Sequence, residues 1–182
     1  KLDGNYPVGT GNVALGDATL GDASLSGNYN TAVGADALEN TTSGQRNSGY
    51  GYGAMFNNTS GSYNVALGMQ SLFSNTTASN NTAVGYQSLY ANTTGTINVA
   101  VGKAALVANT SGVRNVAVGN DALGAVTTGY NNTALGDRSL TSSTGNFNTA
   151  VGSDALYNNT TASNNTAVGY QAGYSNTAAG GV

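Results

Sequence analysis

Asn98-Val99-Ala100-Val101-Gly102 is followed one interval later by Asn115-Val116-Ala117-Val118-Gly119. The phrase Asn-(Thr/Val)-Ala-(Val/Leu)-Gly returns ten times, once in the variant form Asn47-Ser48-Gly49-Tyr50-Gly51. Its closing glycines stand at 16, 34, 51, 68, 85, 102, 119, 136, 152 and 169, so the interval is 18 once, 17 six times, then 16 and 17. A short fixed period means that each unit buries its apolar groups only against its neighbours, and the chain stacks in one dimension. Within the phrase, alternate residues face opposite ways, as in a strand, so Val99 and Val101 share one face and Ala100 takes the other. The glycine turns the chain, a second extended piece carries a small residue and Leu, and Asn-Thr-Thr-(Gly/Ala) turns it again. No stretch between these turn signals is long enough for a stable helix. The expectation is an all-β parallel β-solenoid, or β-roll, of about ten coils. At strand spacing it rises about 48 Å. Residues 12–182 form this single solenoid, and 1–11 an irregular lead-in or cap.

Composition bounds the function. Only 7% of the 182 residues are charged and the net charge is -3, which suggests no nucleic-acid groove. The chain has neither Cys nor His, which removes disulfides, zinc ligation and most acid–base chemistry near neutral pH. No run of apolar residues is long enough to span a membrane, so no membrane insertion is expected of this segment. Without a recognisable signal peptide or anchor, it reads as a mature piece of something longer.

Read by column, the repeat assigns roles. Four places before each glycine stands Asn: Asn12, Asn30, Asn47, Asn64, Asn81, Asn98, Asn115, Asn132, Asn148 and Asn165. Identical amides stacked at strand spacing bond up and down the axis, so Asn30 through Asn165 are expected to form a structural ladder. Thr recurs eight places after the glycine, from Thr42 to Thr177, and Leu four places after it, with Met55 substituting. Val and Leu are expected to fill the coil and Ala to form a close-contact outer stripe. So small a core needs a partner, and with no disulfide or metal that partner is other copies of the chain, as a parallel homotrimer.

Asn-Val-Ala-Val-Gly at 98–102 and 115–119, and Asn-Val-Ala-Leu-Gly at 12–16 and 64–68, resemble the head repeats of trimeric autotransporter adhesins. Asn-Thr-Ala-Val-Gly-Tyr-Gln-Ser-Leu-Tyr-Ala-Asn-Thr-Thr-Gly at 81–95 is similar to repeats of phage tail fibres and bacterial surface fibres. The unit here is longer than in the adhesin heads, which puts the extra residues in the Asn-Thr-Thr-Gly turn. The resemblance implies a trimeric, non-enzymatic fibre or adhesin segment, located at a cell surface or on a virion. It also implies host or prey surface glycans or proteins as partners.

No catalytic residue, metal ligand or cofactor is expected. Most of the charged residues, Asp154 among them, sit at turn positions facing solvent, and Asp137 and Asp154, in adjacent coils, come nearest to a carboxylate pair. The Gly-Gly-x-Gly-x-Asp pattern of calcium-binding solenoids is missing. Candidate ligand-binding residues are aromatic or amide-bearing: Phe56, Phe73, Tyr86, Gln87, Tyr90, Tyr157, Tyr170, Gln171 and Tyr174. Exposed rings offer contact area to sugars or proteins. Sequons recur at Asn40, Asn57, Asn58, Asn75, Asn92, Asn109 and Asn159, in turns open to modification. Two alternatives are an ice-binding solenoid using the Thr column and a glycan-processing tail-spike-like fibre.

Overall fold

A computed structural model of the chain describes residues 9–177; most of the lead-in at 1–11 lies outside them. Ten three-residue strands succeed one another. They are β1 (Val13–Leu15), β2 (Thr31–Val33), β3 (Ser48–Tyr50), β4 (Val65–Leu67), β5 (Thr82–Val84), β6 (Val99–Val101), β7 (Val116–Val118), β8 (Thr133–Leu135), β9 (Thr149–Val151) and β10 (Thr166–Val168). They pair in sequence order as one parallel sheet. Equivalent residues are in register, as in Ala83↔Ala100↔Ala117. The chain is an all-β parallel solenoid, one strand per coil, with no helix among the described residues.

The strands face the opposite way from the expected assignment. The central alanines Ala32, Ala66, Ala83, Ala100, Ala117, Ala134 and Ala150 are fully buried. Val and Leu on either side of them point outward, with Leu67 50% and Val13 53% exposed. Both strand faces carry apolar residues, so alternation alone does not orient them. Interior volume does. Each coil already encloses a Leu and one or two asparagine amides, which leaves room for a methyl group opposite. The third coil shows how tight the fit is. Gly49 replaces the inward Ala there, and Met55 replaces the Leu. A Cβ built on Gly49 would stand 3.3 Å from Met55 Cε and 3.4 Å from Leu38 Cδ1. The longer Met therefore occupies the space that the missing methyl vacates.

The stretch carrying Leu is a run of turns rather than a second strand. The buried leucines lie in the left-handed region, with φ between 47° and 53° from Leu20 to Leu156. The residue two places earlier lies there too, as at Gln70 and Gln87. Left-handed backbone costs about 1–2 kcal/mol per non-glycine residue. It is offset here because the alternating hand aims successive N–H groups along the axis in opposite directions. Gln87 N–H donates back to Met69 O and Leu89 N–H forward to Ala105 O, at 3.1 and 3.0 Å. The closing glycine is required by both conformation and space. Gly102 has φ 133°, and a Cβ there would lie 2.4 Å from the Gly119 carbonyl oxygen of the next coil.

Asparagine holds the coils together in two ways. Each ladder Asn spans its own coil, Nδ2 donating to the carbonyl that closes the turn, as Asn47 does to Gly61 at 2.9 Å. Its Oδ1 accepts the backbone N–H of the next ladder Asn, 3.0 Å for Asn64 N–H to Asn47. The same arrangement links Asn81, Asn98, Asn115, Asn132, Asn148 and Asn165. A second buried amide column runs through Asn58, Asn75, Asn92 and Asn109. There each Nδ2 donates to the preceding Oδ1 at 2.7, 3.0 and 2.8 Å.

Candidate functional site

With the strands oriented, the exposed large apolar side chains fall into an ordered pattern. Among the described residues, all but Tyr130 and Tyr174 belong to four columns. Two are the outward strand columns, Val13, Val65, Val99 and Val116 on one side and Leu15, Tyr50, Leu67, Leu135 and Val168 on the other. One flanking column precedes the ladder Asn and carries Tyr29, Tyr63, Ile97 and Phe147. The other follows the glycine and carries Tyr52, Met69, Tyr86 and Tyr170. The rod therefore presents one apolar wall.

The centre of that wall carries no charge. In ten coils the first strand column contains only Val, Thr and Ser48, and the second only Val, Leu and Tyr50. Monomeric soluble proteins rarely expose so long a contiguous apolar patch. Charges appear only outside the strand columns. Arg46 is held between the rings of Tyr29 and Tyr63, 5.6 and 5.3 Å from their centroids.

Several candidate binding residues are engaged with one another. Phe56, Phe73 and Tyr90 form a half-buried stack with centroids 5.1 and 5.3 Å apart, and Tyr157 stacks on Tyr174 at 5.2 Å. Stacking spends ring faces on neighbouring rings and leaves mainly edges to solvent. Gln87 Nε2 donates to Gln70 Oε1 at 2.9 Å. Tyr86, Tyr170, Gln171 and Tyr174 are exposed. The threonines of Thr42 through Thr93 are half-buried, and each hydroxyl donates to the Thr carbonyl of the next coil at 3.0–3.1 Å. The hydroxyl hydrogens of these residues are thus committed within the solenoid.

Two expectations about the turns change. Sequon residues Asn58, Asn75, Asn92, Asn109 and Asn159 are completely buried, so their amides are closed to modification in the folded chain. Only Asn40 and Asn57 of that set are partly exposed. Asp154 does not face solvent either. It is 4% exposed and paired with Arg138 at 3.0 Å. Arg138 also reaches Asp137 at 3.4 Å, so a guanidinium separates the two carboxylates. Asp154, and less so Asp137, hold the Arg138 proton more tightly than usual. Partial burial, with Asp137 nearby, raises the Asp121 carboxyl above its ordinary range. Among the described residues no group of three His, Cys, Asp or Glu is placed to hold a metal ion, and no helix is long and apolar enough to cross a membrane.

Comparison with protein-family models, curated proteins and solved structures found no match. The outward stripe expected from the sequence was one of Ala; the Val and Leu columns that form it instead are marked in the sequence by the absence of charge.

Proposed function

We propose that this chain is a non-enzymatic structural and adhesive segment of an extracellular fibre, in which three identical copies stand parallel with their walls turned inward. The apolar wall, uncharged along its two central columns, carries this reading. Nine strand intervals make it about 43 Å long, and the two strand columns alone cover about 430 Å² at a width of about 10 Å. The flanking columns, which also carry Asp17, Arg46, Lys103, Arg114 and Asp137, roughly double that to about 800 Å² per chain, shared between its two neighbours. A second copy of the same wall is the occupant that fits best. Its central columns are equally uncharged, it is equally long, and it repeats at the same interval. Closed symmetry uses both edges of each wall, bringing the flanking column of one copy toward the opposite flank of its neighbour. Gln171 and Tyr174, which are exposed and lie outside the four columns of the wall, are the side chains proposed to meet surface glycans or proteins.

Sedimentation equilibrium at micromolar concentration tests the assembly, with a mass of three chains expected. Val99→Asp combined with Val101→Asp should give a monomer with an unchanged far-ultraviolet spectrum. A parent chain that is already monomeric overturns the proposal. A glycan array tests the adhesive part; no retained glycan reduces the segment to a spacer.

A further inference from the structure

A wall of near-identical coils has a difficulty that a single interface lacks. Sliding one copy along another by one coil brings Val and Thr back onto Val and Leu. Repetitive strand surfaces specify register weakly for this reason. One coil breaks the repetition. In β3 the outward pair is Ser48 and Tyr50, the smallest residue in its column beside the largest in the other. Tyr50 is 39% exposed, while Ser48 is half-buried.

We infer that Ser48 and Tyr50 together form a self-complementary key that fixes the axial register of the assembled copies. This rests on the proposal that the wall meets other copies of itself. The geometry follows from symmetry. When parallel copies face each other around an axis along the rod, the second strand column of one opposes the first strand column of its neighbour. In register, the Tyr50 ring of one copy enters the space left by the short Ser48 of the next. A slip of one coil in either direction puts that ring against Thr31 or Val65 instead. The same slip leaves Ser48 opposite Val33 or Leu67, with a void between. Slipped pairings are thus penalised twice, by crowding at one contact and by lost packing at the other. An antiparallel pairing at full overlap gains nothing from the key, because β3 then opposes β8.

The chain has no cysteine, so introduced thiols report register directly. Val99→Cys protein is mixed, after unfolding and refolding together, with Val101→Cys, Val84→Cys or Val118→Cys protein and oxidised. Mixed disulfide is expected with Val101→Cys and not with the one-coil neighbours at 84 and 118. Adding Tyr50→Val to every chain should leave the assembled mass unchanged while slipped products appear. A drop of roughly tenfold or more in the ratio of in-register to slipped product corresponds to about 1.4 kcal/mol of register preference. Ser48→Tyr alone should weaken association, and exchange of the two residues, Ser48→Tyr with Tyr50→Ser, should restore both mass and register. An assembled Tyr50→Val chain that keeps a single register overturns the key. So does an exchanged variant no better than Ser48→Tyr. A monomeric parent with no mixed disulfide overturns the assembly itself, and the two failures are read separately.

Discussion

Val126→Asn should stabilise the protein, although it places an amide where a buried aliphatic side chain now stands. Val126 interrupts the second asparagine column between Asn109 and Ser143, and both neighbours show the cost. Asn109 Oδ1 and Ser143 Oγ are buried without a hydrogen-bond partner. In the intact run each Asn Nδ2 also donates to the carbonyl three residues on, for example Asn92 to Gly95 at 3.0 Å. An Asn at 126 would direct Nδ2 at Asn109 Oδ1 and at the Gly129 carbonyl, and its Oδ1 would accept from the Ser143 hydroxyl. Each buried orphan costs about 1–3 kcal/mol, so relieving two gains about 2–6 kcal/mol. Losing two buried methyl groups costs about 1.6 kcal/mol, and ordering the new amide takes up part of the rest. The net expectation is about 1–2 kcal/mol of added stability, or a rise of about 2–8 °C in Tm for a chain of this size. Asn92→Val, inside the intact run, is the opposite exchange. It strips Asn75 Oδ1 of its donor and should cost about 2–3 kcal/mol. Urea unfolding of both variants beside the parent measures the pair. A Val126→Asn chain that unfolds at lower urea than the parent refutes the ladder argument, as does a neutral Asn92→Val.

Other substitutions probe the remaining features. Gly49→Ala alone crowds Met55, and Met55→Leu alone leaves a gap beside Gly49, each costing about 1 kcal/mol. Together they recreate the Ala–Leu pair of the other coils, and urea unfolding should show about 1–2 kcal/mol of favourable coupling. Ile97 is β-branched, 49% exposed, and held at φ 60°. Asn occupies the equivalent site at positions 80, 131 and 164. Ile97→Asn should therefore raise stability by about 1 kcal/mol by calorimetry. Asp121 binds its proton more tightly folded than unfolded, first through burial and then through Asp137. Its contribution is therefore most favourable below the unfolded pKa and is lost as pH rises through the higher folded value. Asp121→Asn should match the parent in strong acid and melt slightly higher at pH 7, in a series of melting curves from pH 3 to 7.

The coil period, the strand and the closing glycine were legible because they recur in every unit, and a recurring residue in a stack marks a recurring contact. The direction in which the strand faces was not. Ala100 and Val99 are both apolar, and only the volume taken up by Leu106 and the amides of Asn98 and Asn109 leaves a methyl-sized space inside. The second amide column was hidden for a different reason. Asn75-Thr76-Thr77 has the form of a turn and of a glycosylation sequon, and nothing local distinguishes an inward amide from an outward one. Left-handed leucines are still harder to anticipate, because Leu72 and Leu89 adopt a conformation their own chemistry disfavours. Bonds supplied by the adjacent coils outweigh that cost. The apolar wall followed once the strand direction was known, since every charge had already been excluded from its two central columns.

The bonds between coils point along the rod, and this determines how the rod carries load. When the ends are pulled apart, every backbone and amide bond joining two successive coils shares the tension at once, while the junctions themselves are loaded in series. Strength is then a property of each junction, and breaking force belongs to the poorest of them. The second set of amide bonds joins only the coils from Asn58 to Asn109, so extension by force spectroscopy should rupture outside them first and leave that stretch wound. Extending the rod by further coils would add reach without adding strength.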